Sequence, residues 1–285
     1  MASFFNRLTS RVPTAAGLMG SALVASLMNA AHVLPEYNLP VGVTEISRDV
    51  FDLHMLVFWI CVVIGLVVFG VMFYSIFAHR QSKGAKPADF HHSTMVEIVW
   101  TTIPFIILIA MAIPAASMLV RMEDTSNSDL TVKVTGFQWG WHYEYLDNGV
   151  QHYSMLDAAS NAARQLGSGA DVTKIEHYLR DVDKPLVLPT GKKIKFLITS
   201  IDVIHSWWVP DLGGKKDANP GAVNQMWAKI EEEGRFDGKC TELCGKDHGY
   251  MPIVVQAVSP AEFDNYIKVA QAEAGIEAPS VAVAQ

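Results

Sequence analysis

Two long runs without a single charge constrain this 285-residue chain more than anything else in it. Residues 55–78 (MLVFWICVVIGLVVFGVMFYSIFA) hold 24 uncharged residues and residues 98–120 hold 23 more. Each exceeds the roughly 20 residues a helix needs to cross about 30 Å of hydrocarbon. A buried helix of a soluble protein would carry a polar stripe at this length, and neither run has one. Pro104 and Pro114 in the second run would break a soluble helix but are tolerated where neighbouring groups re-satisfy the backbone. Only 18% of the chain is charged and its mean hydropathy is +0.21, against about a quarter charged in ordinary soluble domains. The sequence therefore predicts a two-helix transmembrane hairpin over residues 38–121, with helices at about 55–78 and 98–120.

A third, weaker apolar stretch opens the chain. Arg7 and Arg11 precede the small-residue run 15–27, and the next acid is Glu36, which is the order of a secretory leader. Residues 1–31 are expected to be such a signal, with an uncleaved anchor as the alternative. Between the two helices, residues 79–92 carry Arg80, Lys83 and Lys86 against Asp89 alone, and this excess puts the linker on the cytoplasmic side. Both outer ends of the hairpin then face the exterior. Residues 122–285 contain 15 Lys and Arg against 23 Asp and Glu, a charge of −8 where the whole chain carries −7. Such an acidic exterior argues against nucleic acid, which wants clustered cations.

From Asp129 onward the pattern is that of strands. DLTVKVTGFQWGWHYEY, KKIKFLITS, VIHSWWV, AVNQMWAKI and MPIVVQAV are rich in β-branched and aromatic residues and are separated by DNG, PTG and NPG turns. These predict an all-β Greek-key domain over residues 122–274. A partly helical insertion is expected at about 155–184. Ser259, Pro260 and Glu262 form a capping-box signature opening an amphipathic helix that ends near Ala274, and 275–285 reads as a loose tail.

The chemistry is concentrated in residues 239–251, KCTELCGKDHGYM, which place Cys240, Cys244, His248 and Met251 within twelve positions, with His205 upstream on a strand. Thiolate, imidazole and thioether are the soft and intermediate donors that select copper over calcium, magnesium or manganese. A mononuclear blue-copper site would use one Cys, two His and an axial Met. The second Cys allows two thiolates to bridge a pair of copper ions, each with one imidazole, leaving weak positions for Met251 and a backbone carbonyl. A Cys240–Cys244 disulfide or a structural Cys2His2 zinc site are the alternatives; neither uses Met251, and a disulfide leaves both histidines unexplained. Cys61, inside the first apolar run, reads as a small buried hydrophobe.

The motif C-x-E-x-C-G-x-x-H-x-x-M, here CTELCGKDHGYM, preceded by DVIHSW, resembles subunit II of cytochrome c oxidase of the haem-copper superfamily, over residues 38–270 and including the hairpin. The resemblance implies a cupredoxin-like domain with the dinuclear copper centre CuA. In it His205 and Met251 serve one copper, His248 and the backbone carbonyl of Glu242 the other, and Cys240 and Cys244 bridge both. The Glu242 carboxylate would face a magnesium shared with subunit I. By the same resemblance Trp139 in GFQWGWHYEY is the exposed Trp at which electrons from cytochrome c arrive, while Trp141 suits the core. Glu97 lies at the mouth of a proton channel, and Asp202 belongs to the cytochrome c docking face. The sequence departs from the family at Gly140, where an aromatic residue is usual, and at Ala222, where Arg is common.

The resemblance implies the electron-accepting subunit of a proton-pumping oxidase, its copper domain exterior, partnered by subunit I and other oxidase subunits and by a separate cytochrome c, and the apolar runs with the leader-like start place it in a bacterial plasma membrane. The chain has no C-x-x-C-H, so no haem is attached to it by that motif, and its two helices are too few to enclose one. A copper-lacking quinol oxidase subunit, a membrane-tethered copper assembly protein and a soluble CuA enzyme are the alternatives. The ligand set counts against the first, Trp139 and Glu97 against the second, and the helix pair against the third.

Overall fold

In KIKFLITS the inward positions Ile194, Phe196, Ile198 and Ser200 are buried and the alternate ones face outward, as a strand with one face on a core requires. The computed structural model describes residues 37–86, 89 and 91–276. Among these residues ten strands form two five-stranded sheets. They are β1 (Leu130–Phe137), β2 (Gly140–Tyr145), β3 (Val150–Ser154), β4 (Leu186–Pro189), β5 (Lys193–Ser200), β6 (His205–Trp208), β7 (Lys215–Ala218), β8 (Asn224–Lys229), β9 (Gly234–Cys240) and β10 (Pro252–Val258). One sheet has the order β3-β2-β1-β5-β8, the other β4-β10-β9-β6-β7. The pairs β1–β5 and β4–β10 are parallel and the rest antiparallel.

The sheets meet in an aromatic core. Trp207 of β6 stacks on Phe196 of β5 at 5.1 Å between centroids, and its indole N–H donates to the Tyr143 hydroxyl at 3.3 Å, so the largest buried rings tie one sheet to the other. Strands β3, β4, β7 and β9 were not among the five expected segments. Their sequences explain why: VQHYS and KKDA are largely polar, GRFDGKC alternates charges on its outer face, and LVLP is short and ends in Pro.

Both long helices outrun their apolar runs. Helix α1 spans Glu45–Ala78 and α2 spans Thr94–Glu123. At 34 residues α1 is about 50 Å long, so its first turns stand clear of the hydrocarbon. Thr44 starts it through a reciprocal capping box with Ser47, and the Thr44 hydroxyl also donates to Leu212 C=O. Gly213, at φ +80°, lies so close that a Cβ there would come within 2.6 Å of Ser47 Cα. Arg121, at the exterior end of α2, pairs with Glu45 and Asp49 of α1, and its carbonyl accepts from the Trp227 indole N–H. Arg48–Glu231, on the loop after β8, and Lys216–Glu123, on β7, add two more links between the helices and the β domain.

The region between β3 and β4 contains the six-residue helix α3 (Ala158–Ala163), capped by Asp157, and a 3-10 turn at Val172–Lys174. Helix α4 (Pro260–Ala274) starts with the expected Ser259–Glu262 capping box and buries Phe263, Ile267 and Gln271. The proposed leader lies outside the described residues, as does 277–285.

His152 on β3 gives the fold an acid sensitivity. Its ring lies 5.6 Å from that of Tyr143 and 6.2 Å from that of Tyr145. Burial, reinforced by the Lys184 charge, pushes its imidazole down to about 4. The unfolded chain takes up this proton near 6.5 and the folded chain resists it until about 4, so folding stability falls as pH drops through that window. A His152→Phe chain should lose less thermal stability than the unaltered chain on going from about pH 7 to 5, as followed by circular dichroism; parallel losses would contradict this.

Candidate metal centre

β6 begins with His205, and its position is set by the neighbouring sheet. A Cβ on Gly136, at the end of β1, would fall 2.8 Å from His205 Cδ2, so the imidazole packs directly against backbone and only glycine fits there. The ring is fully buried, edge-on to Trp141 at 6.0 Å. Its Nε2 lies 2.9 Å from Asp202 Oδ1, which leaves Nδ1 turned toward Cys240 Sγ at 3.9 Å. A carboxylate on one ring nitrogen fixes the orientation of the ring and leaves the other nitrogen, once it gives up its proton, to a metal.

Cys240 closes β9, paired with Trp207, and its N–H donates to Met251 C=O at 3.2 Å. The two sulfurs of Cys240 and Cys244 are free thiols 3.8 Å apart, well beyond the ~2 Å of a disulfide. Cys244 Sγ lies 3.4 Å from His248 Nδ1, and the carbonyl of Glu242 accepts from the Cys240 thiol at 3.4 Å. The donor atoms of His205, Cys240 and Cys244 all lie within 4.8 Å of one another. Met251 is buried at the foot of β10. An imidazole nitrogen thus faces each of two adjacent sulfurs, with a carbonyl and a buried thioether in the same loop. This soft donor set suits copper, and the second sulfur suits a bridge.

The electrostatics agree with that fit. Burial alone would raise both thiols. For Cys240, hydrogen bonds from His205 and the backbone outweigh it and bring the pKa down, whereas for Cys244 the charge on Cys240 adds to burial and drives it up. One sulfur ionises easily and the second resists until a cation is present. Asp202 is held below the usual carboxylate range: burial opposes this, but hydrogen bonds from His205, Val203 N–H and Gln138 N–H prevail. His205 is raised for the mirror-image reason, its burial overcome by Cys240 and Asp202.

Residues 130–258 match the family described as cytochrome c oxidase subunit II, periplasmic domain, and residues 33–118 match its transmembrane domain. The probable cytochrome c oxidase subunit 2 of Rickettsia bellii is 36% identical over 252 residues, covering 88% of this chain and 90% of its own. The chain belongs to the cytochrome c oxidase subunit II family. Its Cereibacter sphaeroides relative is 32% identical over 277 residues, covering 93% of this chain and 91% of its own. Among solved structures, the periplasmic domain of subunit II of Bradyrhizobium japonicum cytochrome oxidase is 37% identical, covering 52% of this chain and 98% of that one at a TM-score of 0.45. By its family the chain is a subunit of an oxidoreductase complex, with two membrane helices and a periplasmic β-sheet domain.

Within this subunit II the remaining sequence-predicted residues fall in distinct places. Trp139 is part-buried beside the centre, and its indole N–H donates to Cys244 C=O at 3.1 Å; Trp141 is fully buried. Asp202 accepts from His205, the Ser200 hydroxyl and the N–H groups of Val203 and Gln138, and 28% of its side chain stays exposed. Glu242 is exposed. Glu97 sits in the first turn of α2, about 40 Å along the helix from its exterior end. At Gly140 a Cβ would meet Phe137 Cζ at 2.7 Å, so the neighbouring Phe137 ring fills the space of the missing side chain. Ala222 C=O accepts from the Thr199 hydroxyl, a bond any residue there can make. Gln138 was missed: its amide donates to Cys244 C=O at 2.8 Å, and its place beside Trp139 was the available signal.

The raised Cys244 thiol carries a proton at neutral pH that a bound metal must displace. Apparent copper affinity of the full-length chain, measured against a competing chelator, should therefore rise with pH by about tenfold per unit for each proton displaced. A flat profile between about pH 6 and 8 would count against this charge distribution.

Proposed function

We propose that this subunit II accepts electrons from a separate, basic cytochrome c at a dinuclear CuA centre and serves the haem and copper centres of subunit I, where oxygen is reduced with proton pumping. The observation that carries this reading is the sulfur pair, 3.8 Å apart, with an imidazole Nδ1 facing each sulfur. Cys240 and Cys244 would bridge, His205 and Met251 would complete one position, and His248 with the Glu242 carbonyl the other. When bound, a sulfur-bridged copper pair supplies a one-electron store whose charge is spread over two metals.

The chain's own residues prepare that site. Asp202 holds the His205 ring, Gly136 lets it approach, and Gln138 and Trp139 fix the Cys244 carbonyl. Trp139 is the point of electron arrival: its indole N–H reaches a ligand's backbone directly, and part of the ring stays at the surface. The −8 exterior charge steers a cationic donor and makes its encounter rate fall with salt. Asp202, kept ionised by its hydrogen bonds, contributes to that docking face as well as to His205. The Glu242 carboxylate is assigned to a magnesium shared with subunit I, a hard-oxygen role. Glu97 is assigned to the mouth of the proton-uptake channel, on the cytoplasmic side that the basic linker indicates. The membrane is a bacterial plasma membrane, with the β domain on its periplasmic side.

Full-length chain purified in detergent and loaded with copper should give the electron-spin-resonance hyperfine pattern of one electron shared by two copper nuclei; the pattern of a single nucleus would sink the assignment. In the assembled oxidase, Trp139→Ala should lose nearly all turnover with cytochrome c while keeping that copper signal. Normal turnover would remove Trp139 from its role.

A further inference from the structure

The segment between Cys244 and Met251 has little to hold it in shape. Gly245 adopts φ +116°, Gly249 has open space where a Cβ would lie, and the only regular structure is the 3-10 turn His248–Tyr250. Two glycines in six residues leave such a loop many conformations. Its ends are fixed, at Cys244 C=O by Gln138 and Trp139 and at Met251 C=O by Cys240 N–H. Between them the backbone bonds His248 N–H to Gly245 C=O and Tyr250 N–H to Asp247 C=O are local and cannot set the loop's position against the rest of the domain.

Lys246 Nζ lies 5.6 Å over the Trp139 ring near the loop's first residue, and the restraint on the loop's middle and far part comes from the insertion. Arg164, just past α3, directs its guanidinium across the surface onto this loop. One terminal nitrogen lies 3.2 Å from Asp247 Oδ1 and the other 3.4 Å from Asp247 Oδ2, a two-pronged pair. The same guanidinium lies 4.2 Å over the Tyr250 ring, and its Nε donates to Asn161 Oδ1. Side-chain exposure is 19% for Arg164 and 21% for Asp247, so the pair is shielded enough to act as more than a screened surface contact. Asp247 immediately precedes His248, and Tyr250 immediately precedes Met251. One cation thus grips the residue before each of these two side chains, from a segment 83 positions away.

We propose that Arg164 is a positioning residue of the metal centre. By clamping Asp247 and Tyr250 it sets where His248 and Met251 stand relative to the sulfur pair, and the insertion thereby tunes a centre it does not touch. Planarity matters as well as charge: a lysine could neutralise Asp247 but could not fork onto it and stack on Tyr250 together. The inference rests on the dinuclear reading above for its spectroscopic consequences, though not for the restraint on the loop.

The test uses the full-length chain in detergent, loaded with copper. Arg164→Gln should change the copper hyperfine pattern, shift the midpoint potential and weaken copper retention against a chelator by about ten- to a hundredfold, the usual effect of removing a partner that orients a ligand. Arg164→Lys should show the same changes to a smaller degree, and it decides the matter if Arg164→Gln does not fold. Asp247→Asn should resemble Arg164→Gln, with the double variant no worse than either single one. An unchanged spectrum, potential and copper retention in a folded Arg164 variant overturns the proposal, as do additive effects in the double variant. If the unaltered chain binds only one copper, the dinuclear reading fails by itself. Amide exchange across 245–251 in the copper-free chain then decides the proposal: faster exchange in the Arg164 variant supports it, and equal exchange overturns it.

Discussion

Two sulfur atoms 3.8 Å apart in a buried loop cannot both be charged unless a cation lies beside them, and much of the surrounding structure answers to that fact. The first negative charge is accommodated by His205 and by backbone N–H groups, and the second is withheld by the first. His205 is in turn held by Asp202, Asp202 by Gln138 N–H, and Gln138 by the carbonyl of Cys244, which closes a ring of hydrogen bonds around the pair. The ring draws on the β1–β2 turn, the approach to β6 and the loop after β9. These lie at the same end of both sheets because the parallel β1–β5 pairing and the β6–β9 pairing bring their ends together.

The parts of the fold legible in the sequence were those written in local pattern. The uncharged runs specify helices by length alone, and Ser259 with Glu262 announces α4 because both halves of the capping box are present. Thr44 with Ser47 makes the same motif at α1, yet it lies ten residues before the apolar run and has Ser where Glu or Gln is usual, so the helix start was placed too late. Strand β9 hid because Arg235, Asp237 and Lys239 outnumber its apolar residues; they alternate along the strand, and Arg235 and Asp237 pair with each other.

For the site, spacing revealed the donors that share a loop, together with the histidine three residues from an acid. It did not reveal what organises them. That Asp202 also holds His205 was not visible, because a strand-edge carboxylate carries no mark of what it accepts; the turn that swings it back onto His205 depends on Ser200 and Val203. Arg164 and Asp247 are still less legible, since an ion pair across 83 residues leaves no periodicity. The departure at Gly140 was visible and its compensation was not, because Phe137 substitutes for a side chain three positions along the chain through space rather than sequence.

The contact of Gly213 with the first turn of α1 has a mechanical meaning. Gly213 closes the turn that follows β6, the strand opened by His205, and it leaves no spare volume against Ser47. Together with Arg121 and Arg48 it removes the rotational freedom that a flexible tether would allow. The loop 240–251 is therefore joined to the exterior end of the hairpin through packed contacts as well as through the chain. A change in membrane thickness that tilts the hairpin then carries the β domain with it, as a lever moves its far end.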